Sequence, residues 1–267
     1  MNPTSSFRLG HVLIKVTDLK KAVHDFEQLG FTVTYGSTPK KAKNAIIYFK
    51  DGFFLELFCM NFGQPINSVL KCVVKGMKFF RNPSADRYNN YIHSQEGFSD
   101  YALDSFPSSL FEVNIQSLLE TGLHVVGPKK MKRTNLDGIN LQWSLYCPID
   151  WKLPFFMSPY HPVVKIDEEK VTHHNGSHGF LEIKVSTTSW QETLQTYCNI
   201  YRQHPHVEKQ DGGMSCNFQV DATSIILVEG KRDGITQVVL KGDSSSPSGQ
   251  LTPSLCHGAA LSIAETS

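Results

Sequence analysis

No stretch of this sequence reaches the roughly 18 apolar residues that a bilayer-spanning helix needs, and Met1 to Leu9 holds no long apolar run behind a basic stretch. Membrane insertion and export are therefore not expected, and a cytoplasmic location is. Net charge is also nearly absent: 26 Lys+Arg stand against 25 Asp+Glu, so no overall field favours nucleic acid or a membrane as partner. The six cysteines (Cys59, Cys72, Cys147, Cys198, Cys216, Cys256) include no C-x-x-C pair and have mostly apolar neighbours. That pattern suits reduced thiols and excludes a disulfide frame or zinc knot. Also missing are a G-x-S-x-G elbow, a phosphate loop and an H-E-x-x-H pair, so neither a nucleotide nor a flavin is expected. What is present is an ordinary globular composition, 267 residues with 40% hydrophobic and 19% charged, enough for one or two domains around a large core. A small molecule is the partner left.

Residues 9–17 have β character, and Asp18 stands where a helix N-cap belongs. Leu19, Ala22, Val23, Phe26 and Leu29 then recur at helical spacing, ending at Gly30. Residues 31–35, 45–50 and 53–59 read as strands, the last two joined by Asp51-Gly52, which predicts a type I′ hairpin. Residues 61–97 break the pattern and read as a long connection with short helices. A second strand–helix–strand series begins at Asp100-Tyr101-Ala102-Leu103. Ser109 to Glu112 has capping-box spacing there, residues 124–126 form a short strand, and 139–145 alternate strictly. Residues 153–157 close that unit, and 161–177 read as a linker. A third series follows over 178–267, with a helix opened by the box Ser189 to Glu192, three further strands, a Ser-rich segment at 242–249 expected to be mobile, and a last strand at 259–264.

Ile14-Lys15-Val16-Thr17 returns as Ile183-Lys184-Val185-Ser186, each just ahead of a helix, and Leu29-Gly30-Phe31 is echoed by Thr121-Gly122-Leu123. The repeat is a βαβββ unit. Its one helix covers one face of its sheet, so a neighbour must close the other, and facing units leave a cleft between them. Gly10-His11-Val12-Leu13-Ile14-Lys15-Val16-Thr17-Asp18-Leu19, then Leu29-Gly30-Phe31 and Asp51-Gly52-Phe53-Phe54-Leu55-Glu56-Leu57, resemble the opening unit of vicinal-oxygen-chelate proteins, in the branch of glyoxalase-like domain proteins. Gly97 to Leu103 and Leu153 to Phe156 are similar to that branch's second unit. The resemblance implies an α+β fold of curved mixed sheets, with a glyoxalase-like domain over 1–160 and a third βαβββ-like unit after the linker.

The resemblance also implies that a His on the first strand and a Glu on the fourth are metal ligands, places held by His11 and Glu56. Glu56 lies among apolar residues, where a carboxylate is costly to bury uncompensated. An imidazole and a carboxylate reaching one point suit a divalent metal of the Zn, Fe, Ni or Mn type. Asp100 is the one replacement in sight for the second unit's missing ligand, since Met157 and Ser158 offer no carboxylate. Tyr48 and Trp143 lie on strands bordering the cleft, and Asn44 resembles an Asn that recurs in the branch; these are the expected substrate contacts. Of the linker histidines, His173 and His174 read as solvated surface, His161 as within reach of the cleft, and His178 as the weaker ligand.

Two functions compete. One is a metal-assisted lyase, isomerase or dioxygenase acting on a small oxygen-bearing substrate, with Glu56 as ligand and catalytic base. The other is a metal-free binding protein that sequesters a drug or metabolite in the cleft. Pairing of two chains into a homodimer is left open, as is the role of the third unit.

Overall fold

The computed structural model describes residues 7–60, 66–80, 82–210, 212–244, 246 and 248–266. The first unit is β1 (Phe7–Val16), α1 (Leu19–Gln28), β2 (Thr34–Tyr35), β3 (Asn44–Tyr48) and β4 (Phe54–Cys59). The Asp18 carboxylate caps α1 by accepting from the amides of Lys20 and Lys21 at 3.0 and 3.1 Å, and the helix buries Leu19, Ala22, Val23 and Phe26. Gly30 ends it with φ +84°, and the linker's Asn175 packs where a Cβ would stand.

The connection expected over 61–97 with short helices carries a helical hairpin, α2 (Ile66–Phe79) and α3 (Ala85–His93), while residues 61–65 and 81 lie outside the described residues. The second unit is β5 (Gly97–Ser105), α4 (Phe111–Glu120), β6 (Val125–Thr134), β7 (Asn140–Pro148) and β8 (Phe155–Met157). All eight strands share one sheet in the order β2-β3-β4-β1-β5-β8-β7-β6. β1 pairs parallel with β4, β5 parallel with β8, and the two first strands meet antiparallel at the centre.

The remaining chain builds a second sheet from β9 (Ser177–Thr187), α5 (Trp190–Tyr201), β10 (Val207–Gln210), β11 (Gly213–Val220), β12 (Thr223–Glu229), β13 (Gly234–Gly242), β14 (Gly249–Gln250) and β15 (Leu261–Glu265). Its order is β10-β11-β12-β9-β13-β15-β14. The repeated Ile-Lys-Val falls on β1 and β9, and each pairs parallel with the fourth strand of its unit. β13 runs antiparallel to β9 and parallel to β15, as β5 runs to β1 and β8. Among the described residues the last strands thus form a fourth unit shortened to three strands without a helix.

Strand alternation, shifted by a β-bulge between Leu9 and His11, decides which side chains go where. Leu9, Val12, Ile14 and Val16 of β1 join Leu103 and Phe156 on the convex face, packing on the helices and on the second sheet's Ile183, Val185 and Leu240 in one continuous core. The Tyr101 and Tyr197 hydroxyls hydrogen-bond across that junction, and Phe49 meets Phe180 with ring centroids 5.4 Å apart. The opposite, concave face of the first sheet carries a smaller cluster, Leu13, Phe58, Ala102, Phe155 and Met157.

Local readings fail where side chains outvote sequence spacing. Gly52 has φ +87° while Asp51 does not have a positive φ, so the turn is no type I′; the amides of Gly52 and Phe49 close a three-residue loop by bonding Phe49 O and Phe53 O. Asp51 instead spends its carboxylate on the amides of Phe53 and Phe180. Neither Ser109 nor Ser189 caps through its side chain; α4 is led in by a 3-10 turn, and Thr187 Oγ1 accepts from the Ser189 amide ahead of α5. β2 is shorter than expected and β6 far longer. Of the Ser-rich 242–249 segment, residues 245 and 247 lie outside the described residues, while Asp243 accepts from the Ser246 amide at 3.0 Å.

Candidate functional site

The β1–β4 register sets His11 opposite Phe54 and Leu13 opposite Glu56, and β3 adds Tyr48 opposite Phe54 and Asn44 opposite Phe58. By alternation His11, Glu56, Tyr48 and Asn44 all face the concave side, as the sequence reading requires. Trp143 on β7 shares that face from the other half of the sheet, with Leu145 opposite Met157.

His11 Nε2 lies 3.8 Å from Glu56 Oε2, beyond hydrogen-bond range. The imidazole stacks on Phe54 at 4.3 Å and meets the edge-on ring of Phe155 at 5.5 Å. Burial, with the charge of Arg133 behind it, pushes His11 down to about 3, so the ring is neutral and this is no ion pair. Its Nδ1 is buried without a partner. Glu56 accepts from Asn44 Nδ2 at 2.8 Å. Burial raises the Glu56 carboxyl, while Asn44 and Arg133 hold it back.

Arg133, which sequence reasoning missed, is the cation of this half of the cleft. It comes from β6, a strand whose Lys-rich sequence hides its membership of the sheet, and Met131 opposite Trp143 places its face. Its guanidinium lies 5.9 Å from the Trp143 ring centroid and 5.5 Å from that of Tyr160, with Nε buried and unpartnered. Tyr48 and Tyr160 are both raised by burial and both feel this guanidinium; Tyr160 also feels Glu56, Tyr48 and Asp104. Asp104, likewise missed, is pushed up to about 7 by burial against the weaker pull of Arg8, and its Oδ1 has no hydrogen-bond partner. Gly10 makes room for it, since a Cβ there would lie 2.5 Å from that oxygen. The signal available in the sequence was alternation: Asp104 follows Asp100 and Ala102 at period two.

Asp100, expected to replace the second unit's missing ligand, is engaged by protein donors. Arg87 and Tyr91 of α3 both bond its Oδ2, and Arg87 also donates to Leu153 O at 2.8 Å. Burial opposes the Arg87 charge, yet Asp100 overrides it and raises the group further. Lys15 reaches up from the cleft floor to Ile92 O and Ser94 O at 3.0 and 2.5 Å, fastening the end of α3. The hairpin therefore packs on the Asp100 half of the concave face and not on the Glu56 half.

The linker histidines divide differently from expectation. His173 is buried, not solvated: its Nδ1 accepts from the Thr32 amide at 3.0 Å and its Nε2 donates to Tyr48 O at 3.0 Å. His174 is exposed, and so is His161, which pairs through its backbone with Gln142. Among the described residues no three His, Cys, Asp or Glu side chains converge as a metal would need. His11 and Glu56 are two donors; across from them stand Ala102, Phe155 and Met157, with a guanidinium nearby. A catalytic divalent centre normally takes three protein ligands, so these residues do not fit one.

Two βαβββ units sharing one curved sheet, with a polar concave face, define a vicinal-oxygen-chelate fold. The chain belongs to the glyoxalase-like domain family, whose model matches residues 9–200. Among solved structures it is similar to a hypothetical protein from Staphylococcus aureus, at 16% identity and a TM-score of 0.70, covering 97% of this chain and 100% of that one. A Mn(II)-bound glyoxalase from Novosphingobium aromaticivorans aligns at 9% identity and TM-score 0.52, over 89% of this chain and 65% of its own. Homoprotocatechuate 2,3-dioxygenase from Arthrobacter globiformis aligns at 10% identity and TM-score 0.51, over 90% and 65%. The chain thus spans just under two thirds of the length of that glyoxalase and that dioxygenase. At such identities the likeness is one of fold. No curated protein matches the chain. Among the described residues no helix is long and apolar enough to cross a membrane.

Proposed function

We propose that the Glu56 half of the cleft is a metal-free receptor for a small molecule that carries an oxyanion beside a hydroxyl. The observation that carries this reading is a set of buried, unpartnered polar atoms on one sheet face: His11 Nδ1, Asp104 Oδ1 and Arg133 Nε. Each such atom costs about 1–3 kcal/mol when nothing satisfies it, so the three mark this face as built around polar groups that the protein itself leaves unpaired. The guanidinium of Arg133 offers a planar fork for a carboxylate or enolate. Glu56, fixed by Asn44, is the acceptor for the ligand's hydroxyl, and the same carboxyl is the group placed to take a proton from it. Tyr48 and Trp143 border the pocket, and Leu13, Phe155 and Met157 cover carbon.

Metal analysis and ligand titration test this together. Protein purified without chelator is expected to carry well under one divalent ion per chain. A panel of small hydroxy-carboxylates is expected to change the tryptophan fluorescence at neutral pH without added metal, and Trp143→Phe is expected to remove the change. Near-stoichiometric metal that falls in His11→Ala would overturn the reading in favour of a metal-assisted enzyme. No response to any carboxylate in the panel would sink the receptor.

A further inference from the structure

Helix α2 carries a surface that the cleft does not use. Val69, Cys72, Val73, Gly76 and Phe80 recur at i, i+3, i+4, i+7 and i+11, which is one helical stripe. The stripe faces water: Val69 is 58%, Val73 52% and Phe80 81% exposed, and Phe79 beside it is 83% exposed. The inner side of α2 is a different stripe, on which Val74 is buried and Leu70 and Met77 are half-buried. Lys71, Lys75 and Lys78 form a third one, and residues 66–80 contain no Asp or Glu. Lys78 is tied to Asp86 at 2.9 Å, whereas Lys71 and Lys75 extend from the exposed surface.

We infer that this face of α2 seats the protein on an anionic lipid surface, with Phe79 and Phe80 entering the acyl boundary and Lys71 and Lys75 among the head groups. Charge and area both favour that occupant. At about 100° per residue, Lys75 stands about 40° and Lys71 about 80° around the helix from Phe79, so both cations lie on one flank of the apolar stripe, where long stems reach toward head groups. A helix of 14 residues is about 21 Å long and about 10 Å across, which gives a face of about 200 Å². A stable dimer needs about 800 Å² from each partner, while an interfacial helix needs no more than its own apolar stripe. The near-zero net charge that argued against a membrane is an average; this segment departs from it.

Co-sedimentation of the full chain with vesicles tests the inference. Binding is expected to vesicles containing about 30% phosphatidylserine, to weaken in about 0.5 M salt, and to be weak or absent with phosphatidylcholine alone. Phe79→Ser with Phe80→Ser, and separately Lys71→Glu with Lys75→Glu, should each lower partitioning at least tenfold, with the thermal midpoint unchanged because these side chains are exposed. No sedimentation with the anionic vesicles, equal binding to neutral ones, or full binding by both variants would each overturn it. So would a wild-type dimer by light scattering that the two-serine variant dissolves, since a second copy would then own the face.

Discussion

Asp104 gives the sharpest test of the energetics of the cleft, because replacing it with Asn should stabilise the protein by an amount that grows as pH rises from about 4 to about 7. Its carboxyl has an ordinary value of 3.8 and is pushed up to about 7 in the fold, where Oδ1 has no donor and Arg8 compensates only in part. A group raised on folding favours the folded state fully below its unfolded value and loses that contribution as pH climbs through the folded one. The window is therefore about pH 4 to 7. About three pKa units at about 1.36 kcal/mol each set a ceiling of about 4 kcal/mol. Asp104 is only half-buried as a residue, which reduces this to about 2 kcal/mol. Asn keeps the shape and has no charge to desolvate. Urea unfolding of Asp104→Asn is expected to show a gain of about 2 kcal/mol at pH 8, or about 4–8 °C in midpoint, shrinking to a minor part of that at pH 5. A gain of equal size at both pH values, or a loss at pH 8, would refute the claim that burial of this carboxylate strains the cleft.

Three further outcomes follow from the same geometry. Asp100→Ala should cost about 3–5 kcal/mol in urea unfolding because it strands the buried Arg87 cation, and Arg87→Met with Asp100→Leu should recover most of that. Glu56→Gln should leave the unfolding midpoint within about 1 kcal/mol of the parent, since Asn44 can still donate to the amide oxygen, yet weaken the fluorescence-detected ligand at least tenfold. His173 is pushed down to about 4 by burial, from 6.5, so its contribution is present above about pH 6.5 and lost as pH falls towards 4. Protonating Nδ1 also removes the acceptor for the Thr32 amide, and His173→Gln should flatten that part of the pH–stability curve.

The elements that were legible in the sequence are those where one force decides. The family resemblance brought His11 and Glu56 to one pocket, and a one-residue slip of the β1–β4 pairing would turn them into the core, so that register is strongly specified. The α1 cap was legible because Asp18 has no competing partner. Ser109 and Ser189 have the same spacing, but nearby backbone and Thr187 supply the bonds instead, and spacing does not report that competition. Arg133 and the Arg87–Asp100 pair were not legible for a different reason. β6 is mostly exposed and Lys-rich, so its strand character comes from pairing with β7, and α3 reaches Asp100 only through the folded hairpin. Long-range partners of this kind leave no local trace. His173 was misread for the same cause: its two acceptor and donor sites lie more than a hundred residues away, at Thr32 and Tyr48.

The third unit has a role that the repeat alone could not assign. Aligning the two Ile-Lys-Val segments puts Phe180 where His11 stands, and the registers put Ser224 of β12 where β4 has Glu56. The second sheet therefore lacks both polar anchors, and Phe180 is given instead to the junction with Phe49 and Phe53. β1 approaches β11 and β5 approaches β13, so its apolar side closes the convex face that α1 and α4 leave open. The shortened fourth unit returns the chain so that His257 reaches Asp25 of α1 at 2.9 Å and Glu96 at 3.1 Å, with both ring nitrogens facing carboxylates. Glu96 in turn holds the Thr17 amide at the end of β1. The strands carrying His11 and Asp100 are thus backed on their convex side by a sheet whose corresponding positions go to apolar packing.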